Sequence, residues 1–138
     1  MKAYLKKGRL ADILALIQVL ALDKHAHRSE NGLVEELQGS PTSASQWREV
    51  ASDHPEFFRV RQRGEHIVSL TARHVLPEQE GYRPQLPTDF THKLIQTAIE
   101  LHDRELKRDQ RWDFVTTAII TGAASMAGTF LAVYSGKP

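Results

Sequence analysis

Residues 39–70 read GSPTSASQWREVASDHPEFFRVRQRGEHIVSL, and the change of period inside this stretch decides the fold. Gly39-Ser40-Pro41 combines residues that favour a tight turn, and Thr42, Ser43 or Ser45 can accept the orphan backbone N–H bonds at the start of a helix. Ala44, Trp47, Val50 and Ala51 then recur at helical spacing and make one inward stripe. The outward face is Ser45, Gln46, Arg48, Glu49 and Ser52. Pro55 closes the helix, because its ring excludes helical geometry at His54. Past the proline the pattern becomes strand, turn, strand: Phe57 to Arg61, Gln62 to Glu65, His66 to Leu70. Gly64 supplies the positive φ that such a turn needs.

Toward the amino terminus, Leu10, Ile13, Leu14, Ile17 and Ala21 fall at helical spacing within an apolar run that ends at Leu22. Lys2, Lys6, Lys7 and Arg9 before that run imitate a signal peptide, but Asp12 and Gln18 interrupt it, which favours a core helix. Asn31-Gly32 is expected to break this helix, and Leu33, Val34 and Leu37 to form a short second one.

Helix, helix, turn, helix and hairpin within about 65 residues resembles the winged helix-turn-helix superfamily. The resemblance is carried by the turn Gly39 to Ser43, the helix around Trp47 and the hairpin Phe57 to Leu70, and it covers roughly the first half of the chain. It implies DNA binding, with the third helix in the major groove and the wing along the backbone. Carried over residue by residue, it nominates Ser45, Gln46, Arg48 and Ser52 for base edges, since amide and guanidinium groups make paired bonds to purines. Arg59, Arg61, Arg63 and Arg73 are the candidates for phosphate contact. From Phe57 to His74 these four arginines stand against one acid, Glu65, so the wing is locally basic. Glu49 and Asp53 oppose that reading, because carboxylates on the third helix would repel phosphates. A cytosolic protein partner is the other use of such a module.

The whole chain has 138 residues, 18 Lys+Arg against 17 Asp+Glu, a net charge of +1 and no cysteine. That is room for one small domain plus an appendage. Disulfides, thiolate metal sites and cysteine nucleophiles are excluded, and nucleic-acid binding requires a local patch in place of a whole-molecule field. His25 and His27 lie two apart on different helical faces, and His92 and His102 lie ten apart, which suits no shared metal. The chain has no glycine-rich phosphate loop, no Gly-x-Ser-x-Gly elbow and no His-Glu-x-x-His pair. We therefore expect no catalytic residues, no metal and no cofactor: a non-enzyme.

The carboxyl-terminal half divides by composition. Residues 1–76 form the winged-helix candidate, and residues 77–87 a linker with three of the six prolines. Residues 88–112 form an amphipathic helix, with Phe90, Leu94, Ile95, Ala98 and Leu101 inward, that turns densely charged after Leu106. Residues 113–135 read as a transmembrane helix, since Phe114 to Tyr134 has no ionisable group other than Tyr134 and Trp112 and Tyr134 flank it. The excess of Lys and Arg before it places the first domain in the cytoplasm, as a single-pass membrane protein; the alternative is a wholly cytoplasmic chain. Ala118 with Gly122, and Ala124 with Gly128, are four apart and, with Ser125, nominate a homo-oligomer packed through this helix. The expected fold class is thus mainly α with a small β-hairpin: an N-terminal winged helix, a Pro-rich linker and a long C-terminal helix ending in the membrane. The expected function is a membrane-tethered winged helix that binds DNA or a regulatory partner. The alternative is an interaction or sensor module controlling a membrane-perturbing oligomeric helix.

Overall fold

The computed structural model describes residues 3–135, with side chains through residue 121. The protein is mainly helical, with a small three-stranded antiparallel sheet and a long C-terminal helix. After a 3-10 turn at Ala3–Leu5 come α1 (Arg9–Leu22), β1 (His27–Arg28), α2 (Glu30–Glu36), α3 (Trp47–Asp53), β2 (Phe58–Val60), β3 (Val68–Leu70), α4 (Thr71–Val75) and α5 (Thr88–Ser135). Two compact units meet in sequence at Asp103 and Arg104.

The core of the first unit is built around α1. Ile13, Leu16, Ile17 and Leu20 recur every three or four residues and are fully buried, each contributing about 1.5–3 kcal/mol of burial. They share one core with Leu33 of α2, Trp47 and Val50 of α3, and Phe58, Val68 and Leu70 of the sheet. Asn31-Gly32 does not end the first helix as expected. α1 stops at Leu22, Asp23 is extended, and Asn31 and Gly32 lie inside α2. Ser29 decides that boundary: its hydroxyl accepts the Gly32 N–H at 3.1 Å, satisfying an orphan donor of the α2 start. Two residues between the helices, His27 and Arg28, form a strand too short to show alternation in the sequence.

The sheet runs in the order β1-β3-β2, all neighbours antiparallel. In the hairpin, Phe58 pairs with Leu70, Arg59 with Ser69 and Val60 with Val68, so Phe58, Leu70 and Val68 enter the core while Arg59 faces out. Gly64 at the tip has φ 98°, the left-handed conformation that the turn demanded. Before the hairpin, His54 leaves helical geometry at φ −128° and ψ 63°, as the following proline dictates.

The Pro-rich stretch is folded onto the first unit, and the carbonyls at the end of α1 show why. Val19 O accepts from the Asp23 N–H, Leu20 O from Arg73, Ala21 O from the Leu86 N–H at 3.1 Å, and Leu22 O from the Gln85 amide. Every one of the last four carbonyls of the helix therefore has a donor, and three of those donors come from residues beyond the hairpin. Within the stretch, Gln79 and Tyr82 exchange N–H···O bonds of 3.0 Å across a two-residue turn. Glu80 and Gly81 carry the two positive φ angles, 49° and 81°, that this turn type requires.

The first part of α5 adds Ala98, fully buried, and the partly buried Leu94, Ile95 and Leu101 to the same core. Phe90, expected inward, is 40% exposed, and Thr91 is buried in its place. The expectation of a membrane-spanning helix at 113–135, and with it a single-pass protein tethered by that segment, is corrected. Among the described residues no helix is long and apolar enough to cross a membrane. α5 has 48 residues, and its side chains are described as far as Thr121. Charge persists to Asp113, and Thr116, Thr117 and Thr121 then dilute the run, each donating its hydroxyl to the carbonyl four residues earlier at 2.8–2.9 Å.

Candidate functional site

The start of α3 is set by a residue far away in sequence. Gln46 precedes the helix in extended geometry and makes no side-chain cap, and the Thr42 and Ser43 N–H groups are taken by the nearly buried carboxylate of Asp12 at 3.1 and 2.7 Å. The cap comes from Glu30 on α2, whose two carboxylate oxygens accept the N–H groups of Trp47 at 2.7 Å and Arg48 at 2.9 Å. Ser45 N–H donates to Glu49 at 2.8 Å. Ser45 and Gln46 thus lie on the loop before α3 and not on the helix, and Arg48 and Ser52 on the helix itself. Ser45, Gln46 and Ser52 are exposed, Arg48 is half-buried, and all four border one shallow depression with Lys6 and Asp53.

Charge at this depression is more balanced than the sequence implied. Lys6 and Arg9 each reach Asp53 Oδ2 at 2.8 Å. The Lys6 hydrogen bond above all, and then that of Arg9, hold the Asp53 carboxyl below its usual range against an opposing effect of burial. Asp53 is therefore a neutralised acid. Glu30 and Glu49 remain, and Glu30 occupies the amide donors at the α3 start that an anion would use.

A second candidate surface is the outer face of the sheet. Arg59 on β2, Ser69 on β3 and His27 on β1 form one row across the three strands. The Ser69 hydroxyl lies 2.9 Å from Nε2 of His74, and the His74 ring meets His27 edge-on at 5.2 Å. Both imidazoles register the field around them. His74 is pushed down to about 4, by burial first and then by Arg83, Arg59, His27 and Arg61. His27 is lowered by burial first and then by Arg61, Arg83, Arg59 and Arg73. Both rings are neutral at neutral pH because the protonated form would be poorly hydrated and set among arginines. Arg59, Arg61 and Arg63 are exposed and, among the described residues, form no ion pair, whereas Arg9, Arg28 and Arg83 each hold a carboxylate.

Arg73, nominated with them, must be withdrawn from the phosphate set. It is fully buried, and its guanidinium donates to five carbonyls: Leu20, Asp23 and His25 through Nη1, Pro84 through Nε and Arg83 through Nη2. Its charge is spent holding the end of α1 to the segment after α4. Nothing in the local charge pattern separates Arg73 from the exposed hairpin arginines, since its partners are backbone atoms of distant segments.

Sequence reasoning also missed a cleft of about 640 Å³ between β1, the β2–β3 hairpin and the 79–82 turn. Lys24, Arg28, Arg61 and Arg83 stand on its walls with Glu35 and Glu78. Its residues come from three separated segments, so no spacing announces it. Among the described residues no three His, Asp or Glu side chains converge to hold a metal ion. Of the residues nominated for oligomer packing, Ala118 is exposed on α5, and the side chains at Gly122, Ala124, Ser125 and Gly128 lie outside the described residues. The chain matches no family model, no curated protein and no solved structure.

Proposed function

We propose that the first unit is a winged helix-turn-helix that binds nucleic acid and acts by binding, without catalysis. The observation that carries the reading is the trio Arg59, Arg61 and Arg63, three exposed arginines on one hairpin without an acidic partner among the described residues. Unpaired guanidinium groups gain most from a polyanion, since binding releases its condensed counterions. The order α1-β1-α2-α3-β2-β3 with strand order β1-β3-β2 supports the fold assignment, because it places a helix pair beside a protruding hairpin. In this reading Ser45, Gln46, Arg48 and Ser52 make the second contact. The test is fluorescence anisotropy of a labelled duplex over a salt series. Three phosphate contacts give a slope of log K against log salt of about −3. Binding by the Arg59→Glu, Arg61→Glu, Arg63→Glu variant that matches the parent would refute the wing's role.

Docking of a cytosolic protein is the second reading, favoured by Glu30 and Glu49 at the α3 start, which repel phosphate. Absence of duplex binding at about 50 mM salt, where such contacts are strong, selects it. The second unit adds self-association through α5, where Trp112, Phe114, Ile119 and Ile120 are all exposed apolar side chains. Sedimentation velocity of the full chain checks this: a monomer at all concentrations, or an oligomer unchanged by Trp112→Ser with Ile119→Ser, sinks it.

A further inference from the structure

We infer that the cleft between β1, the wing and the 79–82 turn is a binding site for a nucleoside phosphate. Its volume of about 640 Å³ falls within the range of small-ligand sites, roughly 300–1,000 Å³. Its walls are cationic beyond what the protein itself neutralises. Arg28 is engaged by Asp23 at 3.1 Å and by the Gly32 carbonyl, and Arg83 by Glu78 at 2.8 Å. Among the described residues Lys24 and Arg61 have no acidic partner, and they line the same space. Two uncompensated cations on one cleft repel each other, and a phosphate between them converts that repulsion into charge-assisted hydrogen bonds.

The rest of the wall suits a planar base and a sugar. Tyr82, 55% exposed, lines the cleft from the two-residue turn through Glu80 and Gly81, whose paired N–H···O bonds fix the backbone that carries the ring. An exposed aromatic face beside cations is the arrangement on which nucleobases stack. Glu35 is the wall's uncommitted carboxylate; it can accept from ribose hydroxyls or an exocyclic amine, as acidic side chains do in nucleotide sites. His27, kept neutral by burial and the arginines, adds a hydrogen-bonding ring without adding charge. Arg61 also belongs to the wing, but the cleft requires no duplex on the wing, so the two readings stand or fall separately.

The experiment is isothermal titration of the full chain with AMP, ATP, adenosine and inorganic phosphate, and in parallel with a 5′-phosphorylated single strand. The expected result is saturable AMP or ATP binding at least about tenfold tighter than phosphate or adenosine alone, because charge and ring are both used. Lys24→Glu and Tyr82→Ala should each weaken it about fivefold or more. Lys7→Glu, the same charge change at an exposed position outside the cleft, should leave it unchanged. Thermal melts show that the variants stay folded. Binding of the strand but not of AMP, with the same sensitivity to Lys24→Glu, supports the site and assigns it to a strand end. No saturable binding of any nucleotide or strand, phosphate as tight as AMP, or equal losses from Lys7→Glu and Lys24→Glu would each overturn the inference.

Discussion

Replacing Arg73 with Met keeps a long side chain in the core and removes the guanidinium donors that bind five carbonyls. Five carbonyls lose their partner at once: Leu20, Asp23, His25, Arg83 and Pro84, now served at 2.7–3.1 Å. The bond to Leu20 is fully buried, and leaving that acceptor dry costs about 1–3 kcal/mol. The other four are only part-buried and can recruit water, so each loses about 0.5–1 kcal/mol. Relief of the buried guanidinium's own desolvation, visible as its lowered pKa, returns part of this. The net loss is about 2–5 kcal/mol, a large share of the stability of a small domain. At about 4–8 °C per kcal/mol the melting temperature falls by at least about 8 °C. Urea unfolding of the full chain followed by circular dichroism measures the loss, with Arg59→Met as an exposed control that should shift stability by less than about 0.5 kcal/mol. An Arg73→Met variant as stable as the parent refutes the assignment. A stable variant that loses duplex binding in parallel with the wing variants would return Arg73 to the phosphate set.

Two further predictions concern the helix cap and the histidines. Glu30→Ala should cost about 1–2 kcal/mol in the same urea assay, since two N–H groups at the α3 start lose their acceptor, and it should tighten duplex binding by removing a carboxylate from that end. A loss of both stability and affinity would mean that the shape of α3 matters more than its charge. For His74, the folded pKa of about 4 lies below the unfolded 6.5, so the unfolded chain binds more protons in between and stability rises with pH. The contribution is complete above about 6.5 and is lost as pH falls toward 4; for a part-exposed ring it amounts to about 1–2 kcal/mol after solvent screening. His74→Gln should flatten the urea midpoint over that window, and an unchanged slope would show that other groups govern the acid limb.

Where local chemistry is decisive, the chain announced its elements. The apolar spacing of Ile13, Ile17 and Ala21 specifies a helix face, Pro55 ends α3 by geometry at His54, and Gly64 marks the hairpin tip, because each effect acts within a few residues. Arg59 is legible as a candidate because alternation on a strand sends it outward, whereas Arg61 and Arg63 lie beyond β2 in the loop to β3 and are exposed there. Asn31-Gly32 misled, since a helix tolerates those residues in its first turn once Ser29 caps it. The uncharged run after Asp113 suggests a membrane span, yet among the described residues no helix is long and apolar enough to cross a membrane.

What sequence by itself determined is the helical and hairpin periodicity, the lack of cysteine and the basic character of the hairpin, all legible along the chain without its fold. Tertiary structure alone decided which arginines are free. Arg73 and Arg61 are indistinguishable by local composition, yet one is buried among carbonyls of residues 20–25 and 83–84 and the other stands on an open cleft. The same holds for the cap of α3 by Glu30, the third strand at His27–Arg28 and the cleft itself. Each depends on partners that only the closed chain brings within hydrogen-bonding distance, and no spacing in the sequence encodes that distance.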